Sequence, residues 1–158
     1  KPHLLLVKCP PHSRADKLRT IRAAQRAGMQ VCSGGIIGMG ETLRQRLELA
    51  EEVRETGATS MPVNLLNPIP GTPLEGTPLI SEREVVLSCA LMRLIAPKLT
   101  IRFAGGRARI SPEATARMLR GGVNGAIVGD MLTTAGNGLD SDFELFRSLG
   151  YSTARTND

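Results

Sequence analysis

Aromatic side chains are nearly missing from this 158-residue sequence, which has no tryptophan, one tyrosine and three phenylalanines. Single-stranded nucleic acid is held by rows of stacking rings, and Phe103, Phe143, Phe146 and Tyr151 do not make a row. Cysteine is scarce too. Cys9, Cys32 and Cys89 cannot all pair, and no signal-peptide pattern is visible, so a reducing, cytoplasmic setting is expected rather than a disulfide-held fold. No apolar run approaches a membrane span, so no membrane partner is expected. His3 and His12 are the only histidines, and neither stands at metal-ligand spacing with another donor.

Glycine is abundant: 17 glycines and 10 prolines punctuate the chain at the ends of periodic segments, the pattern of many short connections. The length suits one domain with a sizeable core. The formal net charge is +5, but the basic residues are spread over several helical segments. Solvated helix faces explain that spread better than a nucleic-acid footprint, so no nucleic-acid partner is expected. The first residue is Lys1 rather than Met, which reads as a fragment or as a start lying elsewhere.

In order, an apolar run at 3–7 closes at Pro10-Pro11. Ser13 then offers a helix N-cap with Asp16 in the first turn, and Gly28 ends that helix. A short strand carries Val31 and Cys32. Thr42-Leu43-Arg44-Gln45 is a capping box opening a helix that Gly57 ends. Residues 60–66 read as a buried strand running into a Pro/Gly-rich loop, and Ser81-Glu82-Arg83-Glu84 as a second capping box. A strand at 99–103 enters Ala104-Gly105-Gly106-Arg107, and Ser111-Pro112 starts another helix. A last strand at 123–128 leads into Gly129-Asp130 and a loop, then a closing helix at 142–149 and a polar tail at 153–158. Strand and helix alternate about four times at βαβ spacing, and each strand ends in a Gly- or Pro-rich loop. The fold class is α/β, with repeated βα units forming about half of a TIM-type (β/α)8 barrel over residues 1–152.

The chain is organised around Val31-Cys32-Ser33-Gly34-Gly35-Ile36-Ile37-Gly38-Met39-Gly40-Glu41-Thr42. Glycines let a backbone approach a ligand closely, and a thiolate is a soft ligand for iron or zinc. Cys32 reads as standing where its strand stops, although a lone cysteine there is more often a small core residue. Cys89 lies on an apolar helix face. Arg102 sits within a strand, where one pleat face aims it into the barrel interior, and a charge there needs a partner. Arg102 and Arg107 flank Ala104-Gly105-Gly106 and can clamp a carboxylate or phosphate, or simply form ion pairs. Asn64 interrupts an apolar strand, either to satisfy backbone or to read a polar substrate. The glycine spacing is not that of G-x-G-x-x-G.

Residues 27–42 closely resemble biotin synthase, a radical S-adenosylmethionine enzyme. So do Pro62-Val63-Asn64-Leu65-Leu66 with Gly71-Thr72-Pro73-Leu74, Ile101-Arg102-Phe103-Ala104-Gly105-Gly106-Arg107, and Gly129-Asp130-Met131-Leu132-Thr133-Thr134. The resemblance runs from about Ser13 to Tyr151 and matches the carboxyl-terminal half of the family's barrel. It implies a [4Fe-4S] cluster that cleaves S-adenosylmethionine to a 5′-deoxyadenosyl radical, and a [2Fe-2S] cluster that gives sulfur to dethiobiotin. By position, Cys32 and Arg102 match ligands of the [2Fe-2S] cluster and Asn64 a dethiobiotin contact. Gly34, Gly35, Ile36, Ile37 and Gly38 match backbone lying along S-adenosylmethionine, and Arg107 is read as support rather than ligand. The resemblance also implies a reducing partner such as flavodoxin and a homodimer.

The family's C-x-x-x-C-x-x-C motif, which holds the radical cluster, does not occur here, and two further [2Fe-2S] cysteines lie upstream in the family. The expected function is therefore that of the parent protein, with the chain alone inactive. Two alternatives stand beside it: a sister radical enzyme of the same barrel, and a non-catalytic remnant acting as a binding module.

Overall fold

The computed structural model describes residues 13–129 and 138–152. The early apolar run at 3–7, Cys9, both histidines, the 130–137 loop and the polar tail lie outside them. Ser13 caps α1 (Arg14–Arg26), its hydroxyl accepting the Asp16 N–H at 3.1 Å while Asp16 takes the Ser13 N–H at 2.8 Å. Gly28 follows with φ +79°, a left-handed conformation that glycine adopts without strain. Thr42 and Gln45 form the expected reciprocal box at the start of α2 (Leu43–Glu55). Ser81 caps α3 (Glu82–Ile95), but only half of its box forms: the Glu84 carboxylate meets the Ser81 hydroxyl instead of its N–H. Ser111 caps α4 (Pro112–Arg120), with proline at its first position. α5 (Leu139–Ser148) begins three residues earlier than the sequence suggests, and Asp140 and Asp142 in its first turn suit the positive end of the helix.

The four strands are β1 (Gly35–Ile37), β2 (Ser60–Leu65), β3 (Thr100–Phe103) and β4 (Gly125–Ala126). They pair in chain order and all are parallel. Sequential parallel strands joined by helices are the half-barrel expected, and every strand points its carboxyl end to one rim. Two strand boundaries need correction. The strand placed at Val31 and Cys32 is instead Gly35–Ile37, and Cys32 makes only a lone parallel bridge to Ser60. Cys32 therefore stands before the strand, at its amino-terminal end. The 123–128 segment forms a strand of two residues, although the Asn124 and Ile127 N–H groups still donate to Ile101 and Phe103 carbonyls at 3.1 and 2.9 Å.

The sheet's two faces differ sharply. Met61, Val63 and Leu65 of β2 and Ile101 and Phe103 of β3 are buried, while the alternate residues Pro62 and Asn64 are half-buried and Arg102 is exposed. The buried set packs on Ala50 and Val53 of α2, Val85, Cys89 and Met92 of α3, and Ala114 and Met118 of α4. Each large apolar side chain so buried contributes about 1.5–3 kcal/mol. The helices thus cover one face, and the opposite face is the concave wall of the half-barrel. α1 is different: none of its residues is buried, and Leu18 and Ile21 line a cavity of about 120 Å³ shared with β1 and α2. Among the described residues no helix is long and apolar enough to cross a membrane.

Candidate functional site on the concave face

Side chains paired across parallel strands lie on the same face of a sheet. Arg102 pairs with Pro62, Ile36 with Asn64, and Cys32 with Ser60. Alternation along β2 puts Ser60, Pro62 and Asn64 together, so Cys32, Ile36, Asn64 and Arg102 share the concave face. Cys32, Gly34 and Ile36 are exposed on it, whereas Ile37 is buried beneath. Cys32 and Arg102 are two strands and two residues apart. Two strand spacings of about 4.8 Å and a rise of ~6.6 Å set their Cα atoms ~12 Å apart. That gap leaves room for a group a few ångströms across between a thiol and a long guanidinium arm. Cys89, by contrast, is fully buried on α3, and desolvation pushes its thiol up to about 12. It is a core residue.

Asn64 bridges its neighbours. Its Nδ2 donates to the Gly35 carbonyl at 3.2 Å, and its Oδ1 accepts the Gly105 N–H at 2.9 Å. The amide therefore locks the strand before it to the loop after β3, and one N–H and one lone pair remain for anything else. Gly34 and Gly106 are tight against β2: a Cβ would come 2.1 Å from the Pro62 carbonyl oxygen at the first and 2.6 Å from the Leu65 carbonyl oxygen at the second. Those two glycines are required by close strand packing whatever lies above them.

Two buried ion pairs shape the rim, and the sequence reading assigned neither. After β1 the chain turns through Gly38 and Gly40, with φ of +88° and +94°. Glu41 stabilises that turn: its carboxylate accepts the Gly38 N–H at 2.7 Å and the Met39 N–H at 2.6 Å, and Arg46 donates to it from Nε at 2.6 Å. Burial pushes the Glu41 carboxyl up, but the Gly38 N–H, Arg46 and the Met39 N–H outweigh it, and the carboxyl titrates below its ordinary range. A signal did exist: Arg46 falls on the stripe Leu43, Ala50, Val53, where a charge in an apolar row implies a buried partner. After β3, Gly106 leads into a single 3-10 turn (Arg107–Arg109). Arg107 is buried and pairs with Asp142 of α5. Arg107 is thus turned toward α5.

The model of the "Biotin and Thiamin Synthesis associated domain" matches residues 62–152. The chain belongs to the biotin and thiamin synthesis associated domain family. Its match takes in β2 from Pro62 onward, β3 and β4. Among curated proteins, the chain is 49% identical over 150 residues to a biotin synthase of Porphyromonas gingivalis, covering 95% of this chain and 46% of that protein. It is 49% identical over 144 residues to a biotin synthase of Desulfotalea psychrophila, covering 91% and 43%. A Clostridium botulinum biotin synthase is 48% identical over 143 residues, covering 90% and 45%. The chain spans somewhat less than half the length of these relatives. Among solved structures, methylornithine synthase superposes with a TM-score of 0.69 at 20% identity, over 92% of this chain and 47% of that one. A hydrogenase maturase, HydG, superposes with a TM-score of 0.66 at 17% identity, over 89% and 35%. These likenesses establish the fold, a half-barrel shared with larger enzymes.

Proposed function

We propose that this chain is the carboxyl-terminal half of a biotin synthase barrel, and that it supplies that enzyme's concave wall rather than its radical-generating motif. The observation that supports this most is the shared face: Cys32 just before β1, Asn64 on β2 and Arg102 on β3, separated by up to 70 positions in sequence, lie on one side of the sheet. The donor chemistry fits in part. An exposed thiol and an exposed arginine suit two positions around a [2Fe-2S] cluster. Among the described residues no group of three or more His, Cys, Asp or Glu could hold a metal. On this reading the remaining ligands and the [4Fe-4S] site come from the amino-terminal half of the parent enzyme.

When bound, the clusters supply the radical chemistry on S-adenosylmethionine and the sulfur. The chain's own residues do simpler work. Cys32 offers an exposed soft ligand just before β1 on the concave wall. Arg102 places a positive charge on the same wall that balances the negative charge of a thiolate-ligated iron site. Within the Gly34–Gly38 strip, Gly34 and the Ile36 side chain are exposed on the concave face and offer a surface for S-adenosylmethionine. The unused N–H and lone pair of Asn64 present a donor and an acceptor side by side, complementary to a ureido group such as that of dethiobiotin. The setting proposed is cytoplasmic, with a flavodoxin-like reductant and a homodimeric parent enzyme.

The test is reassembly. The chain is combined with the amino-terminal half of a related biotin synthase carrying C-x-x-x-C-x-x-C, reconstituted with iron and sulfide, and assayed anaerobically for biotin formed from dethiobiotin. Biotin is expected from the assembled protein and none from its Cys32→Ala variant. Release of 5′-deoxyadenosine with no biotin would overturn the assignment in favour of another radical enzyme.

A further inference from the structure

Arg46 is 6% exposed, and its guanidinium is committed to the rim loop after β1. Its Nε donates to Glu41 Oε1 at 2.6 Å and its Nη2 to the Glu41 carbonyl at 3.2 Å, so one planar fork fixes both the side chain and the backbone of residue 41. Its Nη1 donates to Ser88 Oγ at 3.3 Å and lies 3.6 Å from Glu84, which ties the same fork to α3. The Glu41 side chain is also only 6% exposed. A carboxylate in that position persists only with a cationic partner. Without it the carboxyl protonates or swings out, and the Gly38 and Met39 N–H groups lose their acceptor. Between Gly38 and Gly40 the chain has little stiffness of its own.

Replacing a buried ion pair by apolar groups often costs a fold nothing, so stability alone does not account for the pair. We infer that Arg46 is a positioning residue: through Glu41 it holds the backbone of the Gly38 turn in the conformation that receives the ligand of the Gly34–Gly38 strip. This rests on the reading above, in which that ligand is S-adenosylmethionine. The fork also couples the strip to α3, so a shift of that helix is transmitted to the ligand surface.

The first measurement uses this chain as it is: amide hydrogen exchange at Gly38 and Met39. Arg46→Lys keeps the charge but loses the fork, and exchange at both amides is expected to quicken tenfold or more, while Val63 and Phe103 are unchanged. Glu41→Gln retains one acceptor oxygen, so only one of the two amides is expected to stay protected. Unchanged exchange at Gly38 and Met39 in Arg46→Lys overturns the inference. The second measurement is S-adenosylmethionine affinity in the reassembled enzyme, where Arg46→Lys is expected to weaken binding about tenfold with dethiobiotin affinity near normal. Quickened exchange with undiminished S-adenosylmethionine binding overturns the link to the ligand. If the reassembled wild-type protein binds no S-adenosylmethionine at all, the proposed function fails, and the exchange result still decides whether Arg46 positions the turn.

Discussion

Gly34 belongs both to the strip assigned to a ligand and to the tight contact between β1 and β2, and alanine at this position tells the two roles apart. A Cβ would lie 2.1 Å from the Pro62 carbonyl oxygen and 2.8 Å from Pro62 Cδ, where ordinary contact begins at 3.4 Å. The obstacle is backbone, which cannot rotate aside, so the two strands must part by about 1 Å at this point. Flanking bonds would be pulled beyond hydrogen-bonding range: the Ser33 N–H to the Ser60 carbonyl at 3.0 Å, and the Thr59 N–H to the Val31 carbonyl at 2.9 Å. Two such bonds contribute ~1 kcal/mol each, and overpacking adds about 1–3 kcal/mol, for a total near 3–5 kcal/mol. At roughly 2–4 °C per kcal/mol for a chain of this size, Gly34→Ala should melt some 6–20 °C lower. Gly71→Ala is the control, because φ is +79° there but nothing lies within 4 Å of the added carbon. It should cost ~1 kcal/mol from backbone strain alone. Melting followed by far-ultraviolet circular dichroism decides the matter. A Gly34→Ala midpoint no lower than that of Gly71→Ala would refute the packing argument and leave ligand approach as the reason for the glycine.

Three further outcomes follow from the buried charges and thiols. Asp142→Asn strips the partner from Arg107 where the two side chains are 1% and 5% exposed, and it should lower unfolding free energy by about 3–5 kcal/mol in urea titrations; a loss under ~1 kcal/mol would mean the pair is not buried as described. Glu41 titrates below its unfolded value of about 4.3, so its contribution is present above that pH and is lost as pH falls through its lower folded value. The urea midpoint should therefore fall on acidification, and Glu41→Gln should flatten that fall; an identical acid limb in the variant would contradict it. Finally, in a Cys9→Ser background iodoacetamide at pH 8 should alkylate exposed Cys32 and spare Cys89, whose thiol is buried and raised to about 12, a result read by peptide mass; equal labelling of both would disprove the core assignment.

Much of the fold was legible because local chemistry and tertiary packing agree. Ser13, Thr42 and Ser111 cap helices as their sequence context suggests, and the apolar run 60–66 is the central strand it reads as. The stretch 31–37 misled because its apolar residues precede its glycines. The strand forms at Gly35–Ile37 because parallel pairing with Val63–Leu65 wins over the weak strand preference of glycine. Of the site, Cys32, Asn64 and Arg102 were visible as polar residues in apolar company, and their common face follows from the period of two along each strand. What the sequence concealed was who pairs with whom. Arg46 meets Ser88 across 42 positions and Arg107 meets Asp142 across 35, and no local pattern specifies such partners. Asn64 does satisfy backbone, one of the two readings the sequence offers, but the sequence does not show that its amide is shared between two backbone groups from different elements.

In the proposed assembly the concave wall contributes one sulfur ligand, Cys32, to a [2Fe-2S] cluster distinct from the radical cluster. Mössbauer spectroscopy of the 57Fe-reconstituted, reassembled protein tests it most directly, with wild type and Cys32→Ala compared side by side. The wild type is expected to show [2Fe-2S] and [4Fe-4S] signals, and the variant loss or weakening of the [2Fe-2S] signal alone. Spectra that retain both signals unchanged in Cys32→Ala would contradict it.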